Sequence, residues 1–551
     1  MSKRVVQSRL WVPPVLSTEA LVVLTSIYIV VFGNLPWWQG ALAARSWAEA
    51  GTWLFAACVG IALAALQYML LVLIATRRTV KLWLTLVLIA TGVTSYYMRS
   101  YAALLDPTMM RNVLRTDARE VGDLLSWSLI WQTLAFVLPA AVFVWWAELR
   151  IWSWGRAAGQ RALTLVAALV LAVLALLAVN RDFTSLMRNE RELRYRITPA
   201  NLIYSTARNL FSDARTSVKP RVLVGNDARV GPRVAAAARP VAFVLVVGET
   251  GRAANFSLNG YARQTNPELA KRNVVAFQDV TACGTSTEVS LPCMFSPYGR
   301  ADYDEELIRR SDGLLQIVAR TDIKVLWREN QSGCKGVCDG AGIDARNVDP
   351  QLAPALCRGT ECLDGILVEE LKAALAAPGG SRLIVLHEMG SHGPAYYERY
   401  PPRLRRFTPT CDSPELRRCT PEEVVNTYDN GILYTDEVLA QSIDVLRQHS
   451  ERFDTVLLYV SDHGESLGER GLYLHGIPYA IAPDVQLKVP LIYWMSAEFA
   501  SAGQLDPACV RARALEPASH DNLFHSVLAL LDVKTSAYQR GRDFFADCRK
   551  S

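Results

Sequence analysis

Five stretches of the chain are long and apolar enough to cross a bilayer, and all lie in its first third: roughly 20–38, 52–76, 82–98, 124–147 and 162–179. A crossing takes about 20 mostly apolar residues. In hydrocarbon the backbone must bond to itself, so each stretch is expected to be a helix. The first is not a cleavable leader, because no small-residue cleavage site follows it and further spans do. Trp37, Trp38, Trp145 and Trp146 stand near span ends, where tryptophans anchor at the membrane surface. The apolar share of 51% over 551 residues therefore averages an apolar third with an ordinary soluble remainder.

The short loops set the orientation. Lys3, Arg4 and Arg9 precede the first span, Arg77, Arg78 and Lys81 follow the second, and Arg150, Arg156 and Arg161 follow the fourth. Basic loops stay in the cytoplasm. With an odd number of spans, everything beyond residue 180 is expected outside. Cysteine usage agrees. Of eleven cysteines only Cys58 is in a span, and the other ten fall mostly into short-range pairs. That suits an oxidising compartment better than zinc binding by Cys-x3-Cys or Cys-x4-Cys pairs. The spacings predict bridges Cys283–Cys293, Cys334–Cys338, Cys357–Cys362 and Cys411–Cys419, which leaves Cys509 with Cys548. The net charge of +5, without a basic patch interleaved with aromatics, argues against nucleic acid as a partner.

The expected organisation has three parts: residues 1–180, a transmembrane domain; 181–233, an interfacial linker with eleven Lys/Arg against five Asp/Glu; and 234–551, an outer catalytic domain. In the last part, runs at 241–247, 324–327, 382–386, 455–460 and 489–494 read as buried strands. Helical patterns separate them, including ELIRRSDGLLQIVA, read as one helix. The fold class is therefore a five-helix membrane domain plus an α/β domain with a mostly parallel sheet between helices. In such sheets the ligand site gathers at the carboxyl ends of the strands.

Those ends carry chemistry. Glu249 follows the first strand, His387 and Glu388 the third, and Asp462-His463 the fourth, with His392 and His475 in nearby loops. Carboxylates and imidazoles without thiolate suit zinc or manganese in a catalytic site with one open position. A hydroxyl placed there would be activated as a nucleophile. The stretch CGTSTEVSLPC supplies Thr285, Ser286 and Thr287 between two cysteines. Thr285 is expected to cap a helix that Thr287 begins. A helix start favours an anionic phosphoryl group.

Six blocks, GETGRAANFSLNGYARQTNP, CGTSTEVSLPCMFS, NQSGCKGVCD, HEMGSHGPAYYERYP, NTYDNGILYTD and SDHGESLGERGLYLHG, resemble in order those of the lipid A phosphoethanolamine transferases. These are membrane-anchored members of the alkaline phosphatase superfamily, whose periplasmic domain has an alkaline phosphatase/sulfatase-like fold, and they include the mobile colistin-resistance enzymes. The resemblance implies Thr287 as nucleophile and Glu249, Asp462, His463 and Thr287 as ligands of a zinc ion. It implies His392 and His475 at the substrate phosphate, as acid or base, or at a second metal, and Ser332 and Lys335 at the donor head group. It also makes RNVLRTDARE a substrate-contacting helix, with Asn112, Thr116 and Glu120 on one face. The sequence departs from the family pattern at Glu288, where a small residue is expected, and at Gly431, where a hydroxyl is usual.

The implied reaction moves phosphoethanolamine from phosphatidylethanolamine to a lipid A phosphate at the bacterial inner membrane, by a monomeric enzyme. Weaker binding of cationic polymyxins would follow. Two other readings stand beside it: a phosphoglycerol transferase of the lipoteichoic-acid-synthase type and a periplasmic metal sensor. A sulfatase activity is excluded, because the Cys/Ser-x-Pro-x-Arg modification site is absent.

Overall fold

The computed structural model describes residues 12–115, 121, 122, 124–503 and 505–549. Packing divides the chain into two units, 1–110 with 125–208, and 111–124 with 209–551.

In the first unit α1 (Thr18–Tyr28) runs through a π turn, Ile29–Gly33, into α2 (Leu35–Ala41), and the pair is bent by 60°. Then follow α3 (Ala50–Val72), α4 (Val80–Tyr101), the short α5 (Pro107–Arg115), whose residues from Arg111 on belong to the second unit, α6 (Trp127–Trp146) and α7 (Trp154–Ala178). Four of these, α3, α4, α6 and α7, are long and apolar enough to cross a membrane; there are five crossings if the bent pair counts as one. The continuous first span expected from sequence is thus broken. Asn34 leaves the helical region (φ −100°, ψ 27°), and Pro36, at the start of α2, has no N–H to donate. The buried Asn34 side chain restores the lost bonds. Its Nδ2 donates to the carbonyls of Ile29 (3.1 Å) and Thr198 (3.0 Å), and its Oδ1 accepts from the Thr198 N–H (2.7 Å). Just before the break, a Cβ on Gly33 would lie 2.7 Å from the Thr91 methyl of α4, so only glycine lets these helices come so close. Trp37 is fully buried, edge-on to Trp38, and is no interface anchor; Trp145 and Trp146 do remain exposed.

The second unit is built on seven strands: β1 (Val241–Gly248), β2 (Val275–Phe277), β3 (Lys324–Glu329), β4 (Ile343–Asn347), β5 (Arg382–His387), β6 (Asp454–Ser461) and β7 (Leu491–Met495). Their order is β2-β7-β6-β1-β5-β3-β4, with β6, β1, β5, β3 and β4 parallel and β7 and β2 antiparallel at one edge. Phe243, Leu245 and Val247 of β1 enter one core and Ala242, Val244 and Val246 the other, so the strand is apolar on both faces. The first core is covered by α8 (Thr287–Met294) and Leu523–Leu530, and the second by α9 (Gly365–Ala376) and α10 (Pro421–Gln448).

Two strands escaped the sequence reading. β2 has only three residues, and β4 reads IDARN, a largely exposed edge strand without an apolar run. The stretch read as one helix splits into Glu305–Arg310 and Leu314–Ala319. The break falls at Asp312, whose carboxylate is drawn to Arg221 and Arg320, and at Gly313, whose backbone is extended. All ten cysteines beyond Cys58 are joined, in the four pairs that spacing predicts and the fifth that elimination leaves.

Candidate active site

The parallel register decides what meets at the sheet edge. Gly248 pairs with Ser461, so the next residues of β1 and β6, Glu249 and Asp462, leave the sheet side by side. His463 follows at once. All three side chains are fully buried. His463 Nε2 lies 3.3 Å from Glu249 Oε1 and 3.4 Å from Asp462 Oδ2. The imidazole is fixed from behind, because its Nδ1 donates to the Gly464 carbonyl at 2.9 Å. That leaves Nε2 to face the carboxylates, where it holds a proton or, in the proton's place, a cation.

α8 delivers the hydroxyl. Ser286 is the N-cap, with extended backbone, and Thr287 is the first helical residue. Thr287 Oγ1 donates to Glu249 Oε2 at 3.0 Å and stands 3.4 Å from His463 Nε2. Thr285 does not cap the helix as expected: its hydroxyl donates to the Ile477 carbonyl at 2.7 Å, which ties the loop before Thr287 to the loop after His475. Cys283 N–H donates to His520 Nδ1 (3.1 Å), and His520 Nε2 donates to the Ser461 carbonyl (3.0 Å). One buried imidazole thus joins the loop before Thr287 to the strand before Asp462.

The electrostatics of this cluster ask for a cation. Burial works to lower the His463 pKa, but Asp462 and Glu249 overcome it and push it up to about 10. Asp462 is pushed up to about 6 by burial and by the Glu249 charge. Burial would raise Glu249, but its neighbouring histidines, His463 above all, hold it low. Glu249 Oε1 and Asp462 Oδ2 have no hydrogen-bond partner among the described residues. Two buried carboxylates with one orphaned oxygen each, a tautomer-locked imidazole and a hydroxyl fit a divalent metal. The ligand atoms of Glu249, Asp462 and His463 all lie within 4.8 Å of one another.

A second group adjoins the first. His475 Nδ1 pairs with Glu465 Oε2 at 2.8 Å, and Glu465 Oε1 accepts from the Tyr396 hydroxyl at 2.6 Å. The His475 ring is 4.4 Å from that of His463 and 5.6 Å from that of His392.

Comparison with known proteins now decides the family. Residues 242–533 match the sulfatase family, and residues 62–213 match the family described as phosphoethanolamine transferase EptA/EptB. Phosphoethanolamine transferase EptA of Escherichia coli K12 is 42% identical over 458 residues, which is 83% of either chain. The chain belongs to the phosphoethanolamine transferases. Phosphatidylethanolamine transferase Mcr-1 of Escherichia coli is 34% identical over 95% of this chain and 96% of its own. The solved integral membrane lipooligosaccharide phosphoethanolamine transferase A of Neisseria meningitidis superposes with a TM-score of 0.91 at 35% identity, over 98% of this chain and 100% of that one.

Around the transferase site, the remaining residues singled out by sequence fall into two groups. Ser332 and Lys335 reach the cluster through an intermediary. Lys335 Nζ donates to Ser332 Oγ (2.9 Å), Ser332 Oγ to Gln331 Oε1 (2.7 Å), and Gln331 Nε2 to Glu249 Oε2 (3.2 Å). Asn112 lies in α5, whereas Thr116 and Glu120 lie outside the described residues. Gly431 sits in α10 where a Cβ would stand 3.0 Å from Ser391 Oγ, so the departure from a hydroxyl leaves room for the loop that carries His392.

The sequence reading missed Glu465 and Gln331. Glu465 stands two residues beyond His463, in His463-Gly464-Glu465, and could have been paired with a histidine on chemistry alone. Nothing local marks Gln331. It also missed that His387 is engaged below the site: its Nδ1 is 3.0 Å from both Glu329 oxygens, and Glu329 raises its pKa against the effect of burial.

Proposed function

We propose that this protein transfers phosphoethanolamine from phosphatidylethanolamine to a phosphate of lipid A through a covalent adduct on Thr287. The observation that carries the reading is the Thr287 hydroxyl at a helix start, 3.0 Å from Glu249 and 3.4 Å from His463. The names of relatives support the substrates: Mcr-1 is a phosphatidylethanolamine transferase, and the Neisseria protein is a lipooligosaccharide phosphoethanolamine transferase.

Glu249, Asp462, His463 and Thr287 would hold the metal, taken as zinc. When bound, the ion supplies Lewis acidity that makes the hydroxyl a nucleophile and spreads the phosphoryl charge. The chain's own groups do the rest. Thr287 Oγ1 passes its proton along its hydrogen bond to Glu249 Oε2 and attacks the phosphorus of the donor, the bond from phosphorus to the diacylglycerol oxygen breaks, and that oxygen takes a proton. His475 is the donor of that proton, because Glu465 fixes its Nδ1 and leaves Nε2 to carry it. In the second half, an oxygen of the lipid A phosphate attacks the same phosphorus and Thr287 leaves, taking its proton back from Glu249, while His475 is reprotonated from solvent. The backbone N–H groups at the start of α8 favour the phosphoryl charge throughout. His392 and Lys335 contact the head group, Ser332 positions Lys335, and Asn112, Thr116 and Glu120 hold the lipid. The catalytic domain works in the periplasm on an inner-membrane anchor. The product carries less negative charge, so cationic polymyxins bind it less well.

Intact-mass analysis of the purified protein after exposure to phosphatidylethanolamine tests the reading. A single phosphoethanolamine adduct on Thr287, absent from Thr287→Ala, is expected. Diacylglycerol release by Thr287→Ala at the wild-type rate would defeat it.

A further inference from the structure

The residue after the proposed nucleophile is Glu288, and its carboxylate is buried on the first turn of α8. A negative charge beside an anionic phosphoryl group opposes the reaction unless it is offset. The structure contains the offset. Arg115 Nη1 donates to Glu288 Oε1 at 2.5 Å, and Arg309 Nη2 donates to the same oxygen at 2.8 Å and to the Glu288 carbonyl at 2.9 Å. Arg309 Nε also donates to Glu305 (3.1 Å), which Arg111 engages as well. Arg115, Glu288 and Arg309 together line a cavity of about 590 Å3, whose described lining also carries Lys219, Arg221, Arg310 and Lys335 against the single further carboxylate of Asp339. The Arg310 and Lys335 cations donate to neutral oxygens, the Pro220 carbonyl and Ser332.

We propose that Glu288 is a positioning residue. It ties Arg115 and Arg309 to the first turn of α8, one residue beyond Thr287, so that their charge, with that of Arg310 and Lys335, holds the phosphate monoester of the acceptor. The two substrates differ in the property this cavity senses. The donor head group is a zwitterion with a phosphodiester, whereas an acceptor phosphate monoester carries about −1.5 to −2 near neutral pH. A net positive cavity therefore acts on the second half of the reaction more than on the first. The proposal rests on the reading of Thr287 as nucleophile and lipid A phosphate as acceptor.

The test separates the two half-reactions. Adduct formation on Thr287 is timed with phosphatidylethanolamine alone, and the acceptor KM is measured with lipid A, for wild type, Glu288→Ala, Glu288→Asp, Arg115→Gln and the Glu288→Ala/Arg115→Gln pair. Glu288→Ala is expected to form the adduct at close to the wild-type rate and to raise the acceptor KM about tenfold, the scale of one charge-assisted hydrogen bond. Arg115→Gln should do the same, the pair should be no worse than either alone, and Glu288→Asp should recover part of the loss. An unchanged acceptor KM in Glu288→Ala overturns the proposal. So does an equal slowing of both half-reactions, or single losses that multiply in the pair. Should Glu288→Ala not fold, Arg115→Gln, altered at the partly exposed end of the pair, carries the same readout. A wild-type protein that forms no adduct would instead defeat the reading of Thr287 and leave the ion cluster aside.

Discussion

The two units solve opposite burial problems with one chain. In the catalytic unit, β1 and β6 are buried along their whole length, and apolar residues fill both faces of the sheet. In the helical unit, the outside is apolar and part of the inside is polar. Leu163, Val166 and Leu177 of α7 are exposed, while Thr25, Ser26, Asn34, Thr91 and Ser95 are buried. Only 11% of the most apolar window of α7 is buried, against 50% for α3. Water drives the first arrangement; lipid tails, no less apolar than leucine, remove that drive from the second. The helical unit therefore depends on close backbone approach and internal hydrogen bonds. The catalytic unit has apolar burial to spare and uses it to hold Glu249, Asp462 and His463 away from water.

This contrast can be broken at its costliest point. Asp462→Ala should abolish stoichiometric metal binding, measured by elemental analysis, and lower transfer by more than about a thousandfold, because a metal site and its nucleophile act as one unit. Full metal content would move the ligand set elsewhere.

Next in size is a pH effect confined to the catalytic unit. Burial holds His520 down at about 4, although its bond to Ser461 works the other way. The unfolded chain takes up that proton near 6.5. The His520 contribution is therefore intact above about pH 6.5 and is lost as pH falls towards about 4, by at most about 3 kcal/mol. His520→Gln can still accept from Cys283 and donate to Ser461, but it does not titrate. Urea unfolding at pH 7.5 and pH 4.5 should show a smaller acid loss in His520→Gln than in wild type; equal losses would remove His520 as the cause.

The helical unit should answer to volume instead. Gly33→Leu puts a side chain where a Cβ already meets the Thr91 methyl at 2.7 Å, and should cost about 1–3 kcal/mol in thermal unfolding in detergent. Leu177→Ala, on the exposed face of α7, should change the same measurement by less than about 0.5 kcal/mol. A larger effect there would mean that this face is packed against protein.

Much of the fold was legible because its signals are local. β1 and β6 are continuous apolar runs, and the close-spaced cysteine pairs leave little choice of partner. β4 was not legible, because IDARN has no apolar period and pairs only as an edge. Asn34 was not legible as a break, because a single polar residue in an apolar run is satisfied by a loop 164 positions away. Within the site, Glu249, Asp462 and His463 could be found as strand-end residues, and Glu465 by its place two residues beyond His463, whereas Gln331 could not, since its work is to contact another site residue.

The sequence by itself determined two solvents for the chain, an oxidising compartment for its second part, and a sheet edge rich in carboxylates and imidazoles. Those follow from composition and period, which any local segment carries. Only the tertiary structure decided which of three consecutive hydroxyls reaches Glu249. That choice depends on Ser286, not Thr285, capping α8, and on where the loop is tied to Ile477 and His520. It alone also decided that Glu288, a buried charge next to Thr287, meets Arg115 from 173 positions away. Such pairings are set by how elements pack across the fold, and a pairing across that distance leaves no period in the chain to read.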